Sequence, residues 1–332
     1  MSGKGPAPPG GLAPPGGLAR AAAAVVALTR RPAFRGAFLA LMLVAVAVAL
    51  VVDGRAVAEA ARRLPGWALA GSALCVAGQL VAVSMAWRAV LADGGWRLDV
   101  RATVRVFLVG QLGKYLPGGV WNVVTQAELA ADRGVPRLWT VSASAVSLGI
   151  SVAVGGILAV PALLALSLPG VPVAAVAVVP LGLIAFHPRL LNRLLALGSR
   201  LLRRPPPRPL STRGVAAALG WTLLSWLLLA GHLLVLLVGI GAPLDATTLL
   251  VAGCGYALAW VVGFLVLVAP AGAGAREVTL VAVLLAVVPR PEALVVALAS
   301  RLVLTVADVV AAGLALAVGR GRRAHPTVAT DR

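Results

Sequence analysis

Charge is scarce in this chain, and acid scarcer still. Asp and Glu together number 11 among 332 residues, and all charged residues make up 12%. A soluble domain cannot keep its surface hydrated on so few charges when 60% of its residues are hydrophobic. The mean hydropathy of +0.98 marks a polytopic helical membrane protein instead. Cysteine is limited to Cys75 and Cys254, both inside apolar runs and at no zinc-ligand spacing, so both read as free small hydrophobes. His187, His232 and His325 are too scattered for a histidine metal site, and no metal or other cofactor is expected. No Ser-His-Asp set, phosphate loop or dinucleotide fingerprint occurs, because the glycine-rich stretches lie between apolar runs and not after a strand. Lysine is nearly absent, and the heavy use of Ala, Val, Leu and Arg points to a GC-rich bacterial genome.

What is present is apolar sequence of membrane-crossing length. Spans are expected at about 37–52, 67–91, 138–164, 168–186, 215–240, 249–267 and 293–318, with a shorter run at 277–288. The fold class is therefore all-α: about eight transmembrane helices, if the short run crosses, plus a re-entrant hairpin. Residues 1–34 read as a disordered, basic, Pro/Gly-rich tail in which Ala-Pro-Pro-Gly-Gly-Leu occurs at 7–12 and again at 13–18. Residues 35–319 read as a single transmembrane domain and 320–332 as a basic C-terminal tail. Ala56-Val57-Ala58 has the form of a signal-peptidase site, but the basic region reaching Arg35 is too long for a signal peptide, so the first helix is expected to be retained.

The net charge of +18 would suit a polynucleotide, yet the arginines cluster in loops between spans. Anionic lipid and the positive-inside rule account for them, so membrane lipids are the expected partners and nucleic acid is not. Five Lys or Arg precede the first span and seven lie in 187–213, while 164–171 and 241–248 hold none. That pattern places both termini and the 187–213 loop in the cytoplasm of a bacterial inner membrane. Arg55, Arg62 and Arg63 fall on the opposite side, where a short amphipathic surface helix accounts for them. Trp67, Trp96 and Trp139 stand at span ends as interfacial anchors. His232 and Gln79 lie within spans and read as interhelical hydrogen-bonding groups.

Two interruptions break this pattern. The first runs Gly110-Gln111-Leu112-Gly113-Lys114-Tyr115-Leu116-Pro117-Gly118-Gly119-Val120-Trp121-Asn122 and fits two half-helices meeting at Pro117–Gly119, the second arm being polar through Gln126, Glu128, Asp132 and Arg133. The second runs Pro270-Ala271-Gly272-Ala273-Gly274-Ala275-Arg276-Glu277 and adds an adjacent pair of opposite charges. Broken backbone is tolerated at membrane depth only where it is buried in protein or lines a cavity. Paired interruptions in the two halves of a transporter point to a central site. In the last span, Arg301 and Asp308 are nearly two turns apart and share a face, from which they are expected to meet Arg276 and Glu277. Two packing kinks joined by a structural ion network would leave the same residues in place.

The Pro-x-Gly-x-Gly-x-Arg-Glu string after an apolar span resembles the late motif of the lysylphosphatidylglycerol synthase transmembrane-region family. Gly110 through Gly119 resembles that family's first Pro-Gly motif. The resemblance covers roughly 35–320, with its specificity in these two segments. It departs from the pattern where Ala271 separates Pro270 from Gly272, and where Trp121-Asn122 stands in place of Gly-Glu, so that the acid is lost or displaced to Glu128. The family's aminoacyl-transferring members owe that chemistry to a cytoplasmic soluble domain, and residues 319–332 alone follow Val318 here. The resemblance therefore implies lipid handling across the bilayer without lysyl transfer.

These readings converge on a flippase-like transporter of an anionic phospholipid or a polyprenyl-phosphate-linked precursor. Its candidate substrate-binding residues are Lys114, Pro117, Gly118, Gly119, Glu128, Pro270, Gly272, Gly274, Arg276, Glu277, Arg301 and Asp308. A membrane glycosyltransferase using a lipid-phosphate donor is the alternative, but its outer-side carboxylate would have to come from Asp53, Glu59, Asp245 or Glu292. A scaffold for a partner lipid-modifying enzyme is a third reading, and a homo-oligomer is compatible with any of them.

Overall fold

The computed structural model describes residues 55–115, 121–165, 179, 182, 184, 186–201, 208–266, 272 and 274–319. The N-terminal tail, the expected span at 37–52, Pro117, Gly118, Gly119, nearly all of the expected span at 168–186, the proline run at 205–207, Pro270 and the C-terminal tail lie outside the described residues. The described residues are all-α. In chain order they form α1 (Gly66–Asp93), α2 (Val100–Gln111) running into a 3-10 turn at Leu112–Tyr115, α3 (Trp121–Ala131), α4 (Arg137–Ala165) and α5 (Pro188–Leu201). They continue with α6 (Thr212–Gly239), α7 (Ala246–Leu265), α8 (Ala275–Leu284) and α9 (Arg290–Gly319). Five of them, α1, α4, α6, α7 and α9, are long and apolar enough to cross a bilayer.

The structure corrects three expectations. The run at 277–288 contributes only α8, whose ten residues rise about 15 Å and cannot cross a hydrocarbon core about 30 Å thick. It is the second arm of a hairpin with α7, not an eighth crossing. The basic segment 187–213 is not simply a loop, since it opens with α5. That helix turns Arg189, Arg193 and Arg200 to one side, exposes Leu194 and Leu197, and buries Leu191 against the core, an interfacial pattern. Trp139 is buried rather than anchored at a free interface: its ring packs on Gly94 and its indole N–H donates to the Leu91 carbonyl at 3.3 Å. Residues 55–63 are helical as expected, with Val57 and Ala60 buried and the three arginines outward.

Lipid offers no hydrophobic drive for helices to associate, so close packing and polar ties hold the bundle together. The α1–α6 pair shows both. Cβ atoms added at Gly71 and Gly78 would meet Val235 and Leu228 at 3.2 Å, and one added at Gly239 would meet Ala68 at 2.4 Å. Polar side chains bridge the seam. The Gln79 amide donates to Ser225 at 3.3 Å, and His232 bonds Ser72 of α1 at 2.6 Å and Ser300 of α9 at 2.8 Å. One fully buried imidazole thereby ties three spans. At one end of the bundle, the Ser211 hydroxyl caps α6 by accepting from Gly214 N–H, while Asp93 accepts from both the Ser211 amide and its hydroxyl at 2.6 Å. At the other end Asp245 caps α7 by accepting the Thr248 amide at 2.8 Å, which holds its carboxyl below the usual range.

His232→Leu keeps the volume and removes both interhelical bonds. Bonds of this kind contribute about 0.6–1.7 kcal/mol each, so a loss of about 1–3 kcal/mol is expected as a lower melting temperature in detergent. An unchanged melting temperature would show that the bridge does not hold the bundle.

Candidate functional site

Two broken helices enter the bundle from opposite ends. The α2–α3 hairpin opens at the end where α1 finishes and α4 and α6 begin, as the contacts of Gly94 with Trp139 and of Asp93 with Ser211 show. Its arms close because two positions lack side chains. A Cβ at Gly110 would lie 2.3 Å from the Gln126 side chain, and one at Gly113 would lie 2.4 Å from the Asn122 amide. Its second arm is tied outward by a buried relay: the Trp87 indole donates to Ser144 at 3.0 Å, and the Ser144 hydroxyl donates to the Gln126 carbonyl oxygen at 2.8 Å.

The α7–α8 hairpin opens at the other end. There Gly239 meets Ala68 and Arg63 approaches Glu292 at 3.6 Å. Its arms run antiparallel, because Gly263 faces Arg276 while Gly255 faces Val283. Gly272 and Gly274 have φ of +69° and +89°, a region closed to most side chains, and a Cβ on Gly272 would sit 2.8 Å from the Gly263 carbonyl oxygen. The glycine spacing of the second motif is thus a backbone requirement. A π turn at Val251–Gly255 directly precedes Tyr256 in α7.

Residues next to both hairpin tips meet α9. Lys114 Nζ lies 2.6 Å from Asp308 Oδ2, and the Tyr115 hydroxyl donates to the same oxygen at 2.6 Å. Asp308 is only 3% exposed, while the Lys114 side chain keeps a third of its surface open. One nearly two-turn step away on α9, Arg301 Nε lies 3.5 Å from Glu277 Oε1. Glu277 also accepts the Gly274 amide, so it caps its own helix. Arg276 turns the other way. It donates to the Tyr256 hydroxyl and lies over that ring, its guanidinium carbon 4.8 Å from the centroid. Tyr256 packs edge-on to His232 at 6.1 Å between ring centroids, which joins the site to the three-helix tie.

Of the residues picked out in the sequence, Lys114, Arg276, Glu277, Arg301 and Asp308 come together, with Gly272 and Gly274 shaping the second tip. Of the expected four-charge group, Arg301 does meet Glu277, but Asp308 is taken by Lys114 and not by Arg276. Glu128 pairs with Arg137 through two hydrogen bonds of 2.9 and 2.7 Å on an exposed face, and not with the cluster. Tyr115 and Tyr256 were missed. A signal existed, for they are the only tyrosines in the chain, and a tyrosine hydroxyl deep in an apolar run needs a partner.

A helical bundle entered from both ends by broken hairpins, with three cations and two carboxylates where their tips meet, defines a polytopic membrane protein with an internal polar site. The chain belongs to the family described as Lysylphosphatidylglycerol synthase TM region, which it matches over residues 37–312. That membership supports a membrane location and a role connected with membrane lipid. No curated protein matches the chain.

Lys114→Gln strands a buried carboxylate with one neutral donor. Breaking a fully buried pair costs about 3–5 kcal/mol, and less is expected here because Lys114 is partly open. Adding Asp308→Asn should recover most of the lost melting temperature. Additive losses in the double variant would show that the two residues are not coupled.

Proposed function

We propose that this protein is a flippase-like transporter that holds the anionic headgroup of a phospholipid, or of a polyprenyl-phosphate-linked precursor, between its two hairpin tips. The observation that carries this reading is the state of Arg276. It is held by a neutral hydroxyl and an aromatic face, while the carboxylate next to it in sequence is engaged by Arg301 and by the helix cap. Among the described residues no acid contacts its guanidinium, and a planar fork of donors suits a phosphate. Lys114 reaches the same phosphate by exchanging Asp308 for it, with Tyr115 still donating to the carboxylate left behind. The lipid tails remain in the bilayer while the headgroup crosses at the tips. Glu277 acts by fixing α8 and Arg301, so the charge balance rests on three cations against two acids.

Two of the four outer-side acids are engaged elsewhere, which supports the transporter over a glycosyltransferase. Asp245 is committed to capping α7 and Glu292 is approached by Arg63. The orientation belongs to the same proposal: a bacterial cell membrane, with both termini and the 187–213 segment cytoplasmic. Reporter fusions after Arg208 and at Asp245 should then report opposite sides. Signal from one side for both would overturn that orientation.

Reconstituted protein should move a fluorescent anionic lipid across liposomes, and a neutral lipid of equal chain length much less. Arg276→Ala should slow the anionic lipid by about tenfold or more, since hydrogen bonds to charged groups contribute about 1.5–3 kcal/mol. If wild-type liposomes match empty ones for every anionic lipid and polyprenyl-phosphate sugar tested, the transport reading fails.

A further inference from the structure

On the far side of α9 from the charge cluster lies a second feature, an apolar groove between α1, α2 and α9 with a volume of about 1100 Å³. Lys114, Tyr115, Arg276, Glu277, Arg301 and Asp308 are not among the residues that line it, and Val306 and Val310 stand about 140° and 180° round α9 from Arg301. Ala73 and Ala77 line it from α1. Its small and branched lining leaves a slot along two helices where a larger side chain would have closed it.

One end of this slot is not apolar. Arg101 and Arg105 of α2 and Arg133, just beyond α3, stand there with one carboxylate, Asp99. Asp99 serves as the cap of α2 by accepting the Ala102 amide at 3.4 Å. Arg133 donates to the Leu129 carbonyl at 2.9 Å. Among the described residues, Arg101 and Arg105 have neither a hydrogen bond nor an ion pair. Guanidinium groups beside a long hydrocarbon slot match a molecule that is acidic at one end and apolar for the rest. Basic pockets between transmembrane helices bind acidic lipid headgroups in this manner. The apolar run at 37–52 of this chain is a poorer match, because it contains no acid to set against the arginines.

We propose that this groove is a binding site for a bilayer phospholipid with an anionic headgroup. The phosphate lies on Arg101, Arg105 and Arg133, and the acyl chains lie along α1 and α9. The site is separate from the hairpin tips and holds whether or not the tips transport lipid.

The test is native mass spectrometry of the full chain in mild detergent, with phosphatidylglycerol and phosphatidylcholine of identical acyl chains supplied equally. Wild type should retain phosphatidylglycerol over phosphatidylcholine by about tenfold or more. Arg101→Gln/Arg105→Gln/Arg133→Gln, which alters one exposed and two half-buried side chains and removes only the Arg133–Leu129 bond, should stay folded in the same detergent and should abolish that preference. Ala77→Trp should fill the slot and remove one bound lipid. The Lys114→Gln/Asp308→Asn pair at the hairpin tips should leave this lipid in place. Equal retention of the two lipids by wild type overturns the proposal. So does loss of the lipid from the tip variant but not from the arginine variant. An unchanged lipid count in Ala77→Trp, the result expected if residues 37–52 fill the groove, overturns it as well.

Discussion

Hydrocarbon offers no water to a broken backbone or to a charge, and that constraint orders this bundle. The interruptions at 110–122 and 270–277 bring lysine, tyrosine, arginine and glutamate into a region where each must find a partner in protein. α9 supplies them. Asp308 takes Lys114 and Tyr115 on a single oxygen, and Arg301 takes Glu277. The hairpins can stop inside the bundle because one continuous helix receives both of their ends. The glycines follow from the same demand. Gly110, Gly113, Gly263 and Gly272 let backbone approach backbone closely enough to bring the tips to α9.

Polar contacts elsewhere serve the same arrangement from further out. His232 fastens α1 and α9 to α6, and its ring lies against Tyr256, which holds Arg276. The Trp87–Ser144–Gln126 relay fixes the second arm of the first hairpin to α4 and α1. Each chain of contacts confines a helix whose end carries charge, which is how a partly open charged site keeps its geometry while its surroundings stay apolar.

Much of this was legible in sequence because hydropathy and helix breakers act locally. The spans expected at 67–91, 138–164 and 215–240 became Gly66–Asp93, Arg137–Ala165 and Thr212–Gly239. The first Pro/Gly interruption lies between the two arms of the expected hairpin, and the seven-residue spacing of Arg301 and Asp308 did put them on one face. What stayed hidden depends on which atoms meet across the bundle. Spacing along α9 cannot say that Lys114, from a segment nearly two hundred residues earlier, takes Asp308. Adjacent Arg276 and Glu277 project in different directions from the first turn of α8, so their closeness in sequence suggested a pair that does not form. α5 escaped notice because its arginines and the proline run that follows it resemble loop composition, and its leucine stripe emerges only at helical spacing. Trp139 gave no warning that the glycine at 94 would bury it.

Because Arg301 and Asp308 sit on one rigid helix, their separation is fixed at about 10 Å along its axis. A rotation or slide of α9 sufficient to release one hairpin tip displaces the anchor of the other in the same movement. The two ends of the bundle are thereby geared together. Neither hairpin can be released from α9 without moving the residue that holds the other.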